Sequence, residues 1–209
     1  MKERGITFSS GMVLALLSGT KTQTRRTVRI RPGYKIFDDD EQPWPLWTPR
    51  AAELNSRDDN EQPCPYGSCG DRLWVREAWR TAESLDAAAP RELERGVGIS
   101  YEATQGERTP TGRYRHAQST GRYRHARFMP RWASRFTLEL TDVRVQRVAG
   151  ISEEDARAEG VEPLTWGADV AGGLGHIAAY GRLWDEINGR GAWYANPWVW
   201  ALTFKRVDA

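Results

Sequence analysis

Apolar residues recur with a helical period at residues 12–17 and 177–187, and residues 151–160, ISEEDARAEG, form a third, compact helical pattern. Ser9 or Ser10 can cap the first helix and Ser152 the compact one, and Gly19, Gly160 and Gly189 follow the three helices. These start and stop signals predict three helices.

Alternating polar and apolar residues predict strands at 72–77, 136–145 and 198–206, and a run of polar and β-branched residues at 20–30 predicts one more. The apolar parity of the second of these strands changes near Asp142, which indicates a bulge or a bend. Helices and strands together favour an α+β domain in which the final strand closes a sheet or barrel.

The strand after the Gly-Asp turn carries a carboxylate among its apolar side chains. Side chains of a strand alternate between its faces, so Leu73, Val75 and Glu77 share one face while Trp74 and Arg76 share the other. A carboxylate on an inward face requires a cation or hydrogen-bond donors nearby. We therefore expect Glu77 to be buried and paired.

Residues 21–26, with the sequence KTQTRR, form a dense polar cluster between the first helix and the following strand. Side chains at such a corner can form the rim of a cleft, and Lys21 or Arg26 is the expected partner of Glu77. The alternative is that this pair only stabilises the fold.

Two stretches have no regular period, residues 37–62 and residues 81–127, and we interpret both as insertions in one domain that spans residues 1–209. The second stretch contains a direct repeat, TGRYRHA at 111–117 and again at 120–126. Its interleaved Arg, Tyr and His could follow a phosphate backbone and stack on bases. A tandem duplication in a tolerant loop is the alternative, and both interpretations expose the repeat.

Charge and cysteine content limit the possible functions. Thirty basic against 28 acidic residues give a net charge of +2, so a basic binding site has to be local. Cys64 and Cys69 form no metal-ligand pattern, and we predict no metal and no cofactor. The first residues show no apolar segment of the secretory type, and the sequence has no run of about 18 apolar residues, so we expect a cytoplasmic protein. The sequence does not indicate an oligomeric state.

Five motifs occur in order along the chain: KTQTRR at 21–26, GDRLWVRE at 70–77, MPRWASR at 129–135, SEEDA at 152–156 and NPWVW at 196–200. Together they resemble the ASCH-domain proteins, in the version found in phages and prophages. The resemblance implies a PUA-like mixed β-barrel with helices at its ends, into which the two long insertions are placed. It also implies relatives that bind RNA or inspect modified bases in a cleft.

One branch of that family, the small bacterial amidohydrolases acting on N4-acetylcytidine, is similar to this chain at three positions. Its catalytic residues fall on Lys21, Thr24 and Glu159. A threonine hydroxyl becomes a nucleophile when a nearby base takes its proton, and a partly desolvated lysine can do this while a carboxylate transfers the proton to the leaving amine.

Three functions remain open at this stage. The first is binding of RNA, single-stranded DNA or a modified nucleotide in a basic cleft that includes Lys21 and Thr24. The second is an amidohydrolase acting on N4-acylated cytidine, and the third is a phage accessory module for protein interaction with an inert cleft. The predicted ligand-binding residues are Arg25, Arg26, Trp74, Arg76 and Glu77.

Overall fold

The computed structural model describes residues 1–29, 63–104, 121–164 and 175–207. The predicted insertion at 37–62 and the first copy of the repeat lie outside these ranges. The strands and α-helices are, in chain order, β1 Glu3–Thr7, α1 Ser10–Leu17, β2 Gln23–Thr27, β3 Arg72–Arg76, β4 Trp79–Arg80, β5 Ser100–Tyr101, β6 Thr137–Arg147, α2 Glu153–Ala158, α3 Gly175–Asn188 and β7 Trp198–Val207.

A five-stranded sheet has the strand order β1-β3-β6-β7-β2. β1 and β3 are parallel, with Glu3 opposite Arg72, whereas β2 and β7 are antiparallel, with Gln23 opposite Thr203. The predicted α+β class with a mixed sheet is therefore confirmed. Among the described strands this sheet is open, with β1 and β2 at its edges, and the PUA-like barrel stays a prediction.

The three predicted helices are present, and their ends follow the predicted signals. The hydroxyl of Ser9 accepts a hydrogen bond from the backbone of α1, and the hydroxyl of Ser152 does the same for α2. Gly19 and Gly160 follow these helices with positive φ angles of 79° and 81°, which favour glycine. None of the helices in the described ranges is long and apolar enough to cross a membrane.

β6 shows the predicted change of parity. Leu138 and Leu140 are buried in its first half, and Val143 and Val145 in its second half. The buried set therefore shifts by one residue near Asp142, as the sequence pattern predicts.

The chain divides into two compact units. The first comprises Met1–Ser18, Arg72–Leu138 and Arg206–Ala209, and the second comprises Gly19–Asp71 and Glu139–Lys205. The prediction of a single domain stays a prediction.

In the first unit, part of the segment predicted to be an insertion packs into a hydrophobic cluster. This segment contains β5 and three 3-10 turns, Glu83–Leu85, Pro90–Glu92 and Glu102–Thr104. The buried members of the cluster are Trp79, Leu93, Ile99, Met129 and Ala133. Residues 81–104 thus contribute to the core of this unit.

In the second unit, α2 and α3 share a hydrophobic cluster with β7. Ile151 and Ala156, which flank the start of α2, both belong to it, as expected for a hydrophobic staple. The buried members are Val148, Ile151, Ala156, Tyr180, Trp184 and Val199. This packing fixes α2 beside β2, where the charged residues of the second unit meet.

Candidate functional site

Lys21 lies just before β2, and its side chain is fully buried. Its ammonium donates to the backbone oxygens of Gln23 and Glu159 and to Oε2 of Glu159, each at 2.8 Å. An ammonium has three N–H donors, so each of them has an acceptor. Lys21 is thereby held in one position at the end of α2.

Arg25 extends the cluster along β2. Its Nη1 lies 3.0 Å from Oε1 of Glu159, and its Nη2 lies 2.8 Å from Oδ2 of Asp155. Asp155 also accepts from Gln23 Nε2 at 3.1 Å and from Arg144 Nη2 at 3.1 Å. These residues form a connected network between β2 and α2, which we call the charge cluster.

The position of Glu159 at the carboxyl end of α2 explains why it needs two cations. A carboxylate there is disfavoured by the helix dipole, and its side chain is only 2 % exposed. Lys21 donates both to this carboxylate and to the backbone carbonyl of Glu159, and the backbone N–H of Thr22 donates to Ala158 O at 2.8 Å. Lys21 and Arg25 thus supply the positive charge that this carboxylate requires.

Burial shifts the pKa values of Lys21 and of Tyr180, which lies beside the cluster. Desolvation lowers the pKa of Lys21, although Glu159 opposes this shift. The pKa of the Tyr180 phenol is raised well above its usual value, first by burial and then by the charge of Glu159. The guanidinium carbon of Arg25 lies 5.8 Å from the centre of the Tyr180 ring.

The charge cluster is close to electrically balanced. Lys21 and Arg25 contact the carboxylates of Glu159 and Asp155, and Arg144 lies 3.1 Å from both Asp155 and Asp142. Such an arrangement stabilises the position of α2 and does not present uncompensated positive charge to an anion.

The opposite face of β2 carries a different set of side chains. Gln23 bonds to Asp155 and to Thr203 Oγ1, which fixes the face that meets α2. Because successive side chains alternate, Thr24 and Arg26 point to the other face. The structure brings Lys21 and Glu159 together, and strand alternation places Thr24 on the other face of β2.

On this second face, which we call the Thr24 face, β7 supplies the neighbouring side chains. Thr24 lies opposite Leu202 and Arg26 opposite Trp200 in the antiparallel pairing, and directly opposed residues share a face. Trp200 is buried, and its indole N–H has no hydrogen-bond partner among the described residues.

In the first unit, Glu77 is buried as predicted, but its partner is Arg135. Two bonds of 2.7 Å join Arg135 Nε and Nη2 to the two carboxylate oxygens. The expectation of Lys21 or Arg26 as the partner is wrong, because strand alternation gives the direction of Glu77 but not the cation that it meets. Desolvation raises the pKa of Glu77, against the effect of Arg135.

Trp74 and Arg76 share the other face of β3, as predicted. The guanidinium carbon of Arg76 lies 4.4 Å from the centre of the Trp74 ring. The same guanidinium lies against Gly5 of β1, so closely that a Cβ there would collide with it. Both side chains are half-buried and form a stacked cation and ring.

Several residues of these arrangements were not predicted from the sequence. Asp155 lies four residues before Glu159, a spacing that places both on one side of a helix, so the sequence carried a signal for it. Tyr180 and Trp200 stand at apolar positions of amphipathic elements, where the pattern indicates only burial. Arg135 belongs to the MPRWASR motif, but nothing local links it to Glu77.

The fold and these contacts define a mixed α+β protein with a buried charge cluster. No family model matches the chain, and no curated protein matches it. Among solved structures the chain is similar to protein EF3133 from Enterococcus faecalis V583, described as family-model DUF984, at 12 % identity. The likeness covers 100 % of this chain and 81 % of that one, but its TM-score of 0.40 defines neither fold nor function.

Proposed function

We propose that this chain is an ASCH-domain protein of the PUA-like superfamily, of the phage or prophage type, and that it binds nucleic acid or a modified nucleotide. The proposed binding site contains fewer residues than the sequence suggested. The charge cluster neutralises Lys21 and Arg25, so the ligand is assigned to the Thr24 face of β2 and β7.

The observation that carries this proposal is the combination of polar groups on that face. A buried donor without an acceptor costs about 1–3 kcal/mol, and the indole N–H of Trp200 has no acceptor in the part of the chain that the structure describes. A carbonyl oxygen of a nucleobase would supply one. Beside it, Arg26 offers donors for a phosphate and Thr24 offers a hydroxyl.

A buried indole N–H without an acceptor is not in itself sufficient support for a binding site. Trp79 and Trp184 also have buried indole N–H groups without a partner among the described residues. Trp184 packs in the apolar cluster of α2 and α3, whereas Trp200 lies directly opposite an arginine. This neighbour distinguishes Trp200 from Trp184. Trp79 also has an arginine over its ring, Arg124 at 5.4 Å, but that guanidinium already donates to backbone oxygens.

Calorimetric titration tests the proposal. Cytidine, N4-acetylcytidine, cytidine monophosphate and short single-stranded RNA and DNA are titrated into the purified protein. We expect Trp200→Phe, which keeps a ring but removes the donor, to weaken binding roughly tenfold, the effect of one hydrogen bond of about 1.4 kcal/mol. Arg26→Gln should weaken the binding of phosphate-bearing ligands more than the binding of cytidine.

Trp184→Phe is the matched control, because it removes an equally buried indole N–H from the apolar cluster of the same unit. Its affinities should equal those of the wild type. The proposal is wrong if no ligand of the series binds, or if Trp200→Phe and Trp184→Phe have the same effect on binding.

The amidohydrolase is the second candidate, and the contact between Lys21 and Glu159 favours it. Hydrolysis of N4-acetylcytidine would use water to release acetate and cytidine. Two observations oppose it: the three donors of the Lys21 ammonium already have acceptors, and strand alternation directs Thr24 away. Catalysis would require Lys21 to exchange one of these acceptors for the Thr24 hydroxyl.

Incubation with N4-acetylcytidine tests this candidate through the release of cytidine. Turnover that is lost in both Lys21→Ala and Thr24→Val, with both variants folded, would establish it. If there is neither turnover nor binding of any nucleotide or nucleic acid, the protein-interaction module is the function that remains.

A further inference from the structure

Five exposed side chains follow one another in the first unit, Arg122, Tyr123, His125, Arg127 and Phe128. We call them the 122–128 strip. The rings of Tyr123 and Phe128 are 50 % and 53 % exposed, although large aromatic rings are mostly buried in folded proteins. The first five residues of this segment, 122–126, belong to the second copy of the repeat.

The strip is fixed to the first unit by Arg124, which is buried. Its guanidinium donates to the backbone oxygens of Leu85 at 2.7 Å and Ala88 at 3.0 Å. Its backbone N–H donates to the backbone oxygen of Trp79 at 2.8 Å, and its backbone oxygen accepts from the N–H of Trp79 at 3.1 Å. The prediction that the whole repeat is exposed is therefore wrong for this residue, and the outward side chains have a rigid base.

Cations lie beside both exposed rings. The guanidinium carbon of Arg127 is 4.8 Å from the centre of the Phe128 ring, and that of Arg80 is 5.8 Å from the Tyr123 ring. The sequence from residue 108 to residue 135 contains no aspartate or glutamate. Acidic groups of the described residues lie at the edge of the strip: the carboxylate of Asp86 accepts the backbone N–H of Arg122, and Glu102 pairs with Arg80 at 3.0 Å.

We propose that the 122–128 strip binds single-stranded nucleic acid. Arg122 and Arg127 contact phosphates, and the rings of Tyr123 and Phe128 stack on unpaired bases. Exposed rings fit a single strand better than a duplex, because paired bases keep their faces stacked on one another. This inference rests on the proposed function for the class of partner, but its residues are separate from the Thr24 face.

Fluorescence anisotropy of labelled oligo-uridine and oligo-thymidine, measured across a salt series, tests this inference. A single strand gives a log–log salt slope of about −0.7 for each phosphate contact. Arg122→Ala combined with Arg127→Ala should therefore make the slope shallower by about 1.4. Tyr123→Ala combined with Phe128→Ala should weaken binding roughly tenfold or more and leave the slope unchanged.

The second unit supplies matched controls. Arg182, Arg190 and Tyr194 are exposed there, and their replacement by alanine should change neither affinity nor slope. The inference is overturned if the strip variants behave like these controls, or if duplex DNA of the same length binds as tightly as the single strand.

The titration with nucleosides distinguishes a failure of the 122–128 strip proposal from a failure of the proposed function at the Thr24 face. The strip variants should bind cytidine and N4-acetylcytidine like the wild type, whereas Trp200→Phe should not. Loss of strand binding in the strip variants alone supports the strip even if Trp200 binds no base. Nucleoside binding without any strand binding overturns the strip and leaves the Thr24 face intact.

Discussion

At the residue scale, the carboxylate of Glu159 lies between two buried cations, Lys21 and Arg25, and beside the phenol of Tyr180. Removing one partner of a buried ion pair leaves the other charge without compensation, which costs more than the pair contributes in net terms. The charge cluster should therefore depend strongly on this one side chain.

We predict that Glu159→Gln lowers the free energy of unfolding by about 3–5 kcal/mol, because both cations lose their shared anion. Urea unfolding followed by circular dichroism measures the change. Glu154→Gln, an exposed position on the same helix, is the control and should stay within about 0.5 kcal/mol of the wild type. Equal effects of the two variants would show that the cluster contributes little.

A second prediction concerns Glu77, whose pKa burial raises above the usual 4.5. The folded state then binds this proton more readily than the unfolded state, so the contribution to stability is present below pH 4.5 and is lost as the pH rises through the folded pKa. The stability of the wild type relative to Glu77→Gln should fall with rising pH over that window. Urea unfolding of both proteins at several pH values tests this, and a relative stability that rises instead would contradict it.

The sequence predicted the direction of Glu77 but not its partner. Alternation along a strand is a local property, so the inward face could be derived from residues 72–77 alone. The choice of Arg135 depends on how β6 and the turn before it approach β3, and any of several arginines has the same chemistry. For the same reason the pattern marked Trp200 as buried and gave no indication of its unpartnered donor.

At the element scale, α2 is a short helix that contains Asp155 and is directly followed by Glu159, the two carboxylates that bind Lys21 and Arg25. Isolated helices of this length are unstable in water, so its position depends on its cap, on its packing and on the cations of β2. The sequence predicted the cap correctly, since it follows from local spacing.

We predict that Ser152→Ala destabilises the protein by about 1 kcal/mol, because the backbone N–H of Asp155 loses its acceptor at 3.1 Å. Thermal or urea unfolding gives the value. Ser152→Asp, which retains a capping oxygen and places a negative charge at the helix start, should keep most of the stability. An aspartate variant as unstable as the alanine variant would contradict the capping role.

At the scale of the whole molecule, the sequence pattern did not show which of residues 81–127 belong to the hydrophobic core and which form an insertion outside it. A hydrophobic period reveals a helix of several turns or a strand of several residues. Residues 83–104 form only short 3-10 turns and a two-residue strand, which are too short to produce a period in the sequence. Their apolar side chains nevertheless pack with Trp79 and Met129. Arg124 of the repeat also bonds back to this segment.

The last prediction tests whether this segment is part of the core. Ile99 is 2 % exposed within the cluster of the first unit, so Ile99→Ala should lower the free energy of unfolding by about 2–5 kcal/mol through lost burial and the cavity that remains. Ile187→Ala, at a position on α3 that is 52 % exposed, makes the same chemical change at the surface and should have a much smaller effect. Urea unfolding of both variants compares them directly. If Ile99→Ala is as mild as Ile187→Ala, residues 81–104 are an appendage that the fold tolerates, and the rigid base assigned to the 122–128 strip is lost with them.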